Sequence, residues 1–211
     1  RVHLRGPAPM IPGETMSTID DWRGRLGRDW AERAEVQDRM LFPLGEMALD
    51  RLGPVEGARI LDLGCGPGAT TMALAERGAQ PVGADVSPDL LSMAEKRARA
   101  ARARLRFVLT DAGKAPPPGP FDALFSRFGC MFFDAPVEAW TTLRGQMAEG
   151  APMSVVAWRH VKLNDWAGLP LRLVADLFEP APPLGPGAPG PFGWADRDLV
   201  QAWLEAAGWT D

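Results

Sequence analysis

Cysteine, histidine and tyrosine are scarce or missing in this sequence. Its 211 residues include two cysteines, two histidines and no tyrosine. Cys65 and Cys130 lie far apart, and together with His3 and His160 they match neither a zinc site nor a disulfide framework. We therefore expect no bound metal and a reducing, cytoplasmic compartment. Because tyrosine is absent, an oxidoreductase that depends on a catalytic tyrosine is disfavoured.

The sequence also lacks long apolar runs and an excess of positive charge. No apolar stretch approaches the roughly 20 residues of a membrane-spanning helix, and no secretory signal is visible. The formal net charge of -4 argues against nucleic-acid binding by bulk charge. The basic run "EKRARAARARLR" is typical of a solvated helix face. We expect neither a membrane nor a nucleic acid as partner.

Proline and glycine are abundant at the N-terminus, where residues 1–16 show no periodicity and are predicted to be a disordered extension. Residues 17–53 have a helical pattern and are predicted to form an N-terminal cap, in which Trp22 and Trp30 share one face and Pro43 interrupts the helix. The chain stops just after a helix, so we expect a truncated C-terminus.

Residues 54–211 alternate between apolar strands and helices. The predicted strands are "ARILDLG", "QPVGADVS", "LRFVLTDA", "FDALFSRF" and "APMSVVAWRH". Such alternation predicts an α/β domain, a Rossmann-like, doubly wound and mostly parallel sheet with helices on both faces. Residues 162–194 break the pattern and are predicted to be an insertion over the active site.

The stretch "RILDLGCGPGATT", residues 59–71, places Gly64, Gly66 and Gly68 between a strand and a helix. A structural turn needs one glycine for a positive φ, so three indicate a close approach by a ligand. A phosphate-binding P-loop is excluded, because no Gly-Lys-Ser/Thr follows. In such sheets, ligands bind beyond the carboxyl ends of the strands, where this loop lies.

Three carboxylates narrow the choice of ligand. Asp85 follows Gly64 by 21 residues, at the position of an acid that accepts hydrogen bonds from ribose hydroxyls. Asp62 precedes the loop and would repel a pyrophosphate but attract a cationic ligand. Asp111, after the third strand, can accept from an adenine amino group, with the Ala112 amide facing a ring nitrogen.

Four segments resemble the successive motifs of class I S-adenosylmethionine-dependent methyltransferases of the small-molecule type: "ILDLGCGPGATTMALAERG", "VGADVSPDLLSMAEKRA", "FVLTDA" and "FDALFSRFGCMFF". The resemblance covers roughly residues 20–211. It implies a seven-stranded sheet ending in an antiparallel hairpin, which is missing here. It also implies the roles that follow. Five residues would line the methionine part: Asp62, Gly64, Cys65, Gly66 and Gly68. Asp85 would bind the ribose, Val86 would pack on the adenine, and Asp111 with Ala112 would hold the adenine edge. Ser126 and Arg127 would lie beside the sulfonium.

The predicted reaction is methyl transfer to a small, partly apolar organic acceptor by in-line displacement. A general base is required only for an acceptor that is protonated at neutral pH, and His160, Arg127 and Asp134 are weak candidates for a catalytic role. Trp22 and Trp30 either cover the cofactor or form a helix core. Two alternatives remain: a non-catalytic protein that binds S-adenosylmethionine, and an NAD-dependent oxidoreductase.

Overall fold

Five parallel strands make up the sheet in the computed structural model, which describes residues 18–174 and 185–210. The strand order is β3-β2-β1-β4-β5, and every neighbouring pair is parallel. The strands are β1 (Arg59–Leu63), β2 (Gln80–Asp85), β3 (Arg106–Leu109), β4 (Ala123–Arg127) and β5 (Met153–Val156). The predicted doubly wound α/β fold is confirmed. Beyond β5, no further strand is present in the described ranges.

Eight helices accompany the sheet in the described ranges. They are α1 (Ile19–Arg23), α2 (Arg25–Glu32), α3 (Ala34–Leu52), α4 (Ala69–Glu76), α5 (Pro88–Ala100), α6 (Pro136–Arg144), α7 (Asp165–Val174) and α8 (Arg197–Ala206). A short 3-10 helix covers Val161–Leu163. Residues 1–16 and part of the insertion at 162–194 lie outside the described residues.

Short sequence signals explain the elements nearest the glycine loop. In β1 only Arg59 is not fully buried, as expected for a central strand covered on both faces. Ser87 caps α5 by accepting a hydrogen bond from the Leu90 backbone N–H, and Pro88 takes the first helical position. Strands β2 and β3 follow on one side of β1, and β4 and β5 on its other side, so the strand order reverses between β1 and β4. This switch point opens a crevice at the carboxyl ends of the strands.

Two helix boundaries differ from the sequence prediction. Helix α3 runs straight through Pro43, because this position is exposed and water can satisfy the backbone carbonyl that loses its partner. The stretch "APVEAWTTLRGQMAEG" predicts a helix that closes at Gly150, but helix α6 ends at Arg144. The reason is that the next residues pair with Phe121, whose N–H donates to the Gln146 carbonyl at 2.8 Å. Long-range backbone pairing therefore overrides the local helical pattern.

The N-terminal helices pack on two parts of this framework. Helix α3 lies against β4 and β5, and Ser154 on β5 donates a hydrogen bond to the Ala48 carbonyl of α3 at 2.8 Å. Helix α2 lies against α5, where Gly27 contacts Ser87. These helices therefore reach the carboxyl edge of the sheet, next to the glycine loop.

Candidate functional site

Asp85 ties the end of β2 to the glycine loop. Its Oδ2 accepts a hydrogen bond from the Gly66 N–H at 2.8 Å, and its Oδ1 accepts from the Ser87 N–H at 2.9 Å. Burial raises the pKa of Asp85, and these backbone donors oppose the rise. Each carboxylate oxygen can accept a second hydrogen bond, so the side chain can still bind two hydroxyl groups of a ligand.

The three glycines of the loop all have positive φ, but they face different surroundings. A Cβ added at Gly64 would lie 2.5 Å from the Gly129 Cα, and one at Gly68 would lie 2.9 Å from the Ala94 Cβ. At Gly66, φ is +54° and no atom of the described chain lies within 4 Å of an added Cβ. The close approach predicted from the sequence is therefore made by the protein itself at Gly64 and Gly68. Only Gly66 faces open space.

Asp62 is a fully buried carboxylate beneath the loop. Its Oδ2 accepts hydrogen bonds from the Thr70 hydroxyl at 2.8 Å and the Thr71 hydroxyl at 2.6 Å. Its Oδ1 has no hydrogen-bond partner among the described residues. Burial raises the pKa of Asp62 from 3.8 to about 6, although the two hydroxyl donors oppose the rise. The sequence analysis missed both threonines, even though "GATT" places them in the first turn of α4.

Asp111 and Ala112 lie at the end of β3 and are buried. Asp111 Oδ1 accepts from the Gly113 N–H at 3.2 Å. Its Oδ2 is buried without a hydrogen-bond partner in the described part of the chain, although Lys114 Nζ lies 3.5 Å away and Arg23 Nη2 4.0 Å away. One carboxylate oxygen thus remains free to accept from a ligand donor.

Three further predicted site residues lie at the same edge. Val86 is half-buried between Asp85 and Ser87. Ser126 is fully buried, and its hydroxyl donates to the Leu63 carbonyl at 2.8 Å, which joins the ends of β4 and β1. Cys65 is buried, and burial raises its thiol pKa, so it is protonated and a poor nucleophile.

Arg127 forms an ion pair with one of the N-terminal helices. This ion pair was not predicted from the sequence. Asp38 on α3 accepts from Arg127 Nη2 at 3.2 Å and from Arg97 Nη1 at 2.6 Å. Arg97 Nη1 also lies within hydrogen-bond distance of the Pro67 carbonyl in the glycine loop, at 3.2 Å. Asp38 therefore links α3, α5 and the end of β4, and through Arg97 it reaches the loop.

His160 and Asp134, the other two catalytic candidates, are exposed. His160 Nδ1 accepts from the Lys162 N–H at 3.2 Å, so it caps the short 3-10 helix. For Asp134, the described chain shows no side-chain hydrogen bond or ion pair. Neither residue is joined to the glycine loop by a hydrogen bond within the described ranges.

The two tryptophans of the N-terminal helices pack at this edge of the sheet. Trp22 contacts Trp30 and Phe132 edge-to-face, with ring centroids 5.5 Å and 5.3 Å apart. Its Nε1 is buried and has no hydrogen-bond partner among the described residues. Because the next residue, Arg23, approaches Asp111, the helix pair α1 and α2 lies over the carboxyl ends of the strands.

The sequence of this chain is similar to a family model and to several known proteins. Residues 60–149 match a family model described as a methyltransferase domain. An uncharacterized protein of Mycobacterium tuberculosis is 29% identical over 174 residues, covering 81% of this chain and 61% of that protein. Demethylmenaquinone methyltransferase of Thermus thermophilus is 39% identical over 101 residues, covering 46% of each chain. This chain thus spans less than two thirds of the length of these relatives.

Two solved structures share the fold. Magnesium protoporphyrin IX methyltransferase of Synechocystis, solved with bound S-adenosylhomocysteine, superposes with a TM-score of 0.62 at 16% identity, covering 90% of this chain and 86% of that chain. A [4+2]-cyclase, SpnF, superposes with a TM-score of 0.58 at 23% identity, covering 79% of this chain and 56% of that chain.

Two features are absent from the described residues. None of their helices is both long enough and apolar enough to cross a membrane. Nor do three or more metal-ligating side chains cluster in those ranges.

The motif order, the strand order and the segment that the family model matches all indicate the same fold. Residues 60–149 match the model of a methyltransferase domain, and the chain has the Rossmann-like fold that class I S-adenosylmethionine-dependent methyltransferases share.

Proposed function

We propose that this protein is a methyltransferase that binds S-adenosylmethionine and transfers its methyl group to a small organic acceptor. The observation that carries the proposal is the arrangement at Gly66. Its N–H is held by Asp85, and the space beside its Cα is open among the described residues. A ligand can lie against the loop there while its ribose reaches the Asp85 carboxylate.

The free acceptor atoms at this edge fit the rest of an adenosyl ligand. The unpaired Oδ2 of Asp111 can accept from the adenine amino group, and half-buried Val86 can pack on the adenine ring. Gly64, Cys65 and Gly68 shape the loop that would hold the methionine part. Ser126 and Arg127 lie at the end of β4, next to that part of the loop.

Charge favours a cationic ligand over a pyrophosphate. Asp62 and Asp85 flank the loop, and residues 60–76 contain no lysine or arginine. A pyrophosphate on this loop would face these carboxylates, and Arg97, which reaches the loop at Pro67, is already paired with Asp38. An ammonium or sulfonium would instead be attracted. This argues against the NAD-dependent oxidoreductase.

Similarity in fold does not by itself establish methyl transfer. Some relatives are named as methyltransferases, among them a magnesium-protoporphyrin O-methyltransferase of Rhodobacter capsulatus, but SpnF, which shares the fold, is named a cyclase. The matches also cover less than two thirds of the length of the sequence relatives described above. Methyl transfer by the whole protein is therefore part of this proposal. The main alternative is a non-catalytic protein that binds S-adenosylmethionine.

In this reaction the protein would bind the cofactor and the acceptor, orient them, and exclude water from the site. When bound, S-adenosylmethionine supplies an electrophilic methyl group on a positively charged sulfur. The glycine loop and Asp85 would fix that group, and α1 and α2 would close the edge above it. Holding two reactants in line can contribute roughly 7–11 kcal/mol in favourable cases. A role in proton transfer or charge stabilisation remains a prediction for His160, Arg127 and Asp134.

The proposed compartment is the cytoplasm. Both cysteines are buried free thiols, which fits a reducing environment. The proposed partner is a small molecule.

Titration calorimetry with adenosylhomocysteine and, separately, with NAD tests the ligand. We expect adenosylhomocysteine to bind and Asp85→Ala to weaken it by about 1.5–3 kcal/mol, the scale of hydrogen bonds to a charged group. Asp122→Ala is the matched control, because Asp122 accepts from the Arg59 N–H at the opposite edge of the sheet. Preferential binding of NAD would overturn the proposal. Binding of adenosylhomocysteine with no methyl release on a panel of metabolites would favour the non-catalytic binder.

A further inference from the structure

Four aromatic rings form a continuous row beside the glycine loop. Phe128 stacks on Trp158 with centroids 4.3 Å apart and planes 15° apart. Trp158 contacts Trp166 at 5.0 Å, and Trp166 stacks on Phe192 at 6.2 Å with planes 30° apart. We call these four residues the aromatic shelf. It joins the ends of β4 and β5 to α7 and to the segment that precedes α8.

The inner end of the shelf is anchored to the glycine loop. Gly129, which follows Phe128, packs so closely on Gly64 that a Cβ on Gly64 would lie 2.5 Å from its Cα. The Phe128 N–H donates to the Val156 carbonyl at 2.8 Å, which holds the ends of β4 and β5 in register. Phe128 therefore lies at the carboxyl end of β4, next in sequence to the residue that packs on the glycine loop.

Phe128 is held in a backbone conformation that a bulky residue rarely adopts, with a φ of +63°. Such strained residues persist only where the surrounding structure imposes them, and they concentrate at ligand-binding sites. A glycine would meet the backbone requirement at position 128 without strain. The strained Phe128 therefore marks this position as a candidate part of a ligand site.

The geometry of the shelf differs from that of the aromatic core. Trp140, which is fully buried, contacts Phe133 and Trp209 edge-to-face, with planes 88° and 86° apart. In the shelf, by contrast, two of the pairs are stacked. Phe128 and Trp158 are partly buried against the hydrophobic core, whereas Trp166 is 47% exposed. A flat ring can extend a stack of this kind, and ligand sites are commonly lined by aromatic side chains.

We propose that the methyl acceptor is a planar, conjugated and mainly apolar molecule that lies on the aromatic shelf. This inference rests on the proposed function, because it assigns the acceptor to the same site. Phe128 and Trp158 would hold the ring that receives the methyl group, and Trp166 would contact the outer part of the molecule. Saturated or strongly hydrated acceptors would gain little from these flat faces.

Calorimetry on the full chain saturated with adenosylhomocysteine can test the shelf with two matched probes. They are 2-naphthol, which is flat, and decahydro-2-naphthol, which has the same carbon skeleton and hydroxyl but is saturated. We expect 2-naphthol to bind about three- to tenfold more tightly, the range of a favourable aromatic contact. Equal affinities, or no binding of 2-naphthol to protein that binds adenosylhomocysteine normally, would overturn the shelf and leave the proposed function standing.

Variants then locate the preference. Trp158→Leu keeps apolar volume but removes the flat face, so it should abolish the preference while the affinity for adenosylhomocysteine changes by less than about twofold. Phe128→Gly should also lose the preference, and because it relieves the positive φ it should still fold. Phe42→Leu, at an exposed aromatic position of α3, is the control and should retain the preference. A preference that survives Trp158→Leu and Phe128→Gly would refute the assignment. If adenosylhomocysteine does not bind to the unmodified chain, the proposed function itself fails.

Discussion

Replacing Asp62 by Asn should remove a pH dependence from the stability of the ligand-free protein. Asp62 is fully buried, and burial raises its pKa from 3.8 to about 6. Asparagine has nearly the same shape, and its Oδ1 can still accept from the hydroxyls of Thr70 and Thr71. The substitution therefore removes the ionisation and leaves most of the packing unchanged.

The direction of this pH dependence follows from the pKa values of Asp62 in the folded and the unfolded chain. In the unfolded chain an aspartate titrates near 3.9, so between about pH 4 and pH 6 the folded state holds a proton that the unfolded state has lost. Stability contributed by this group is therefore present below pH 4 and is lost as the pH rises towards 6. A difference of about two pH units corresponds to about 3 kcal/mol at neutral pH.

Urea denaturation at a series of pH values between 4 and 7.5 would measure the effect. Relative to Asp62→Asn, the unmodified protein should lose about 2 kcal/mol of unfolding free energy over this range, because part of the effect is already lost at pH 4. Thr71→Val removes a donor that lowers the Asp62 pKa, so it should move the loss to higher pH. If the two curves run parallel from pH 4 to 7.5, Asp62 is not a buried group with a raised pKa, and the reasoning fails.

Three further substitutions test the loop and the N-terminal helices. Gly66→Val should nearly abolish adenosylhomocysteine binding in calorimetry, because the added side chain would fill the open space at a positive φ. The far-ultraviolet circular dichroism spectrum should stay native. Normal affinity would show that no ligand approaches the loop there. Gly27→Ala should destabilise the protein in thermal and urea melts by about 1–3 kcal/mol, despite the better helix propensity of alanine, because the new Cβ would overlap Ser87 Oγ. Gly145→Ala, where the added Cβ meets only ordinary contacts, is its control and should not destabilise; equal behaviour of the two would contradict the packing of α2 on α5. Asp38→Asn should cost about 1–3 kcal/mol in urea denaturation, because two arginines lose a shared carboxylate; an unchanged midpoint and slope would show that the pair does not hold α3 in place.

Local signals in the sequence were sufficient for most of the fold. Apolar runs alternating with helical patterns predicted five strands in a mostly parallel sheet, and Ser87 with Pro88 is a local signal for the start of α5. These signals act over a few residues, so they can be read without knowing which elements meet. The two wrong boundaries, at Pro43 and Gly150, arose where exposure and pairing with Phe121 outweighed the local pattern.

By itself, the sequence determined that a glycine loop follows a buried strand and that carboxylates lie at or just after the carboxyl ends of three strands, because strand ends and turns depend on neighbouring residues. Only the tertiary structure decided that Gly66 alone of the three loop glycines faces open space, since Gly129 and Ala94 approach the other two from distant segments. The same holds for Asp38, which pairs with Arg127 across 89 positions of the chain. It holds for the aromatic shelf as well, whose four rings come from separate elements. Contacts between distant segments depend on how the elements pack, and no periodicity in the sequence encodes that packing.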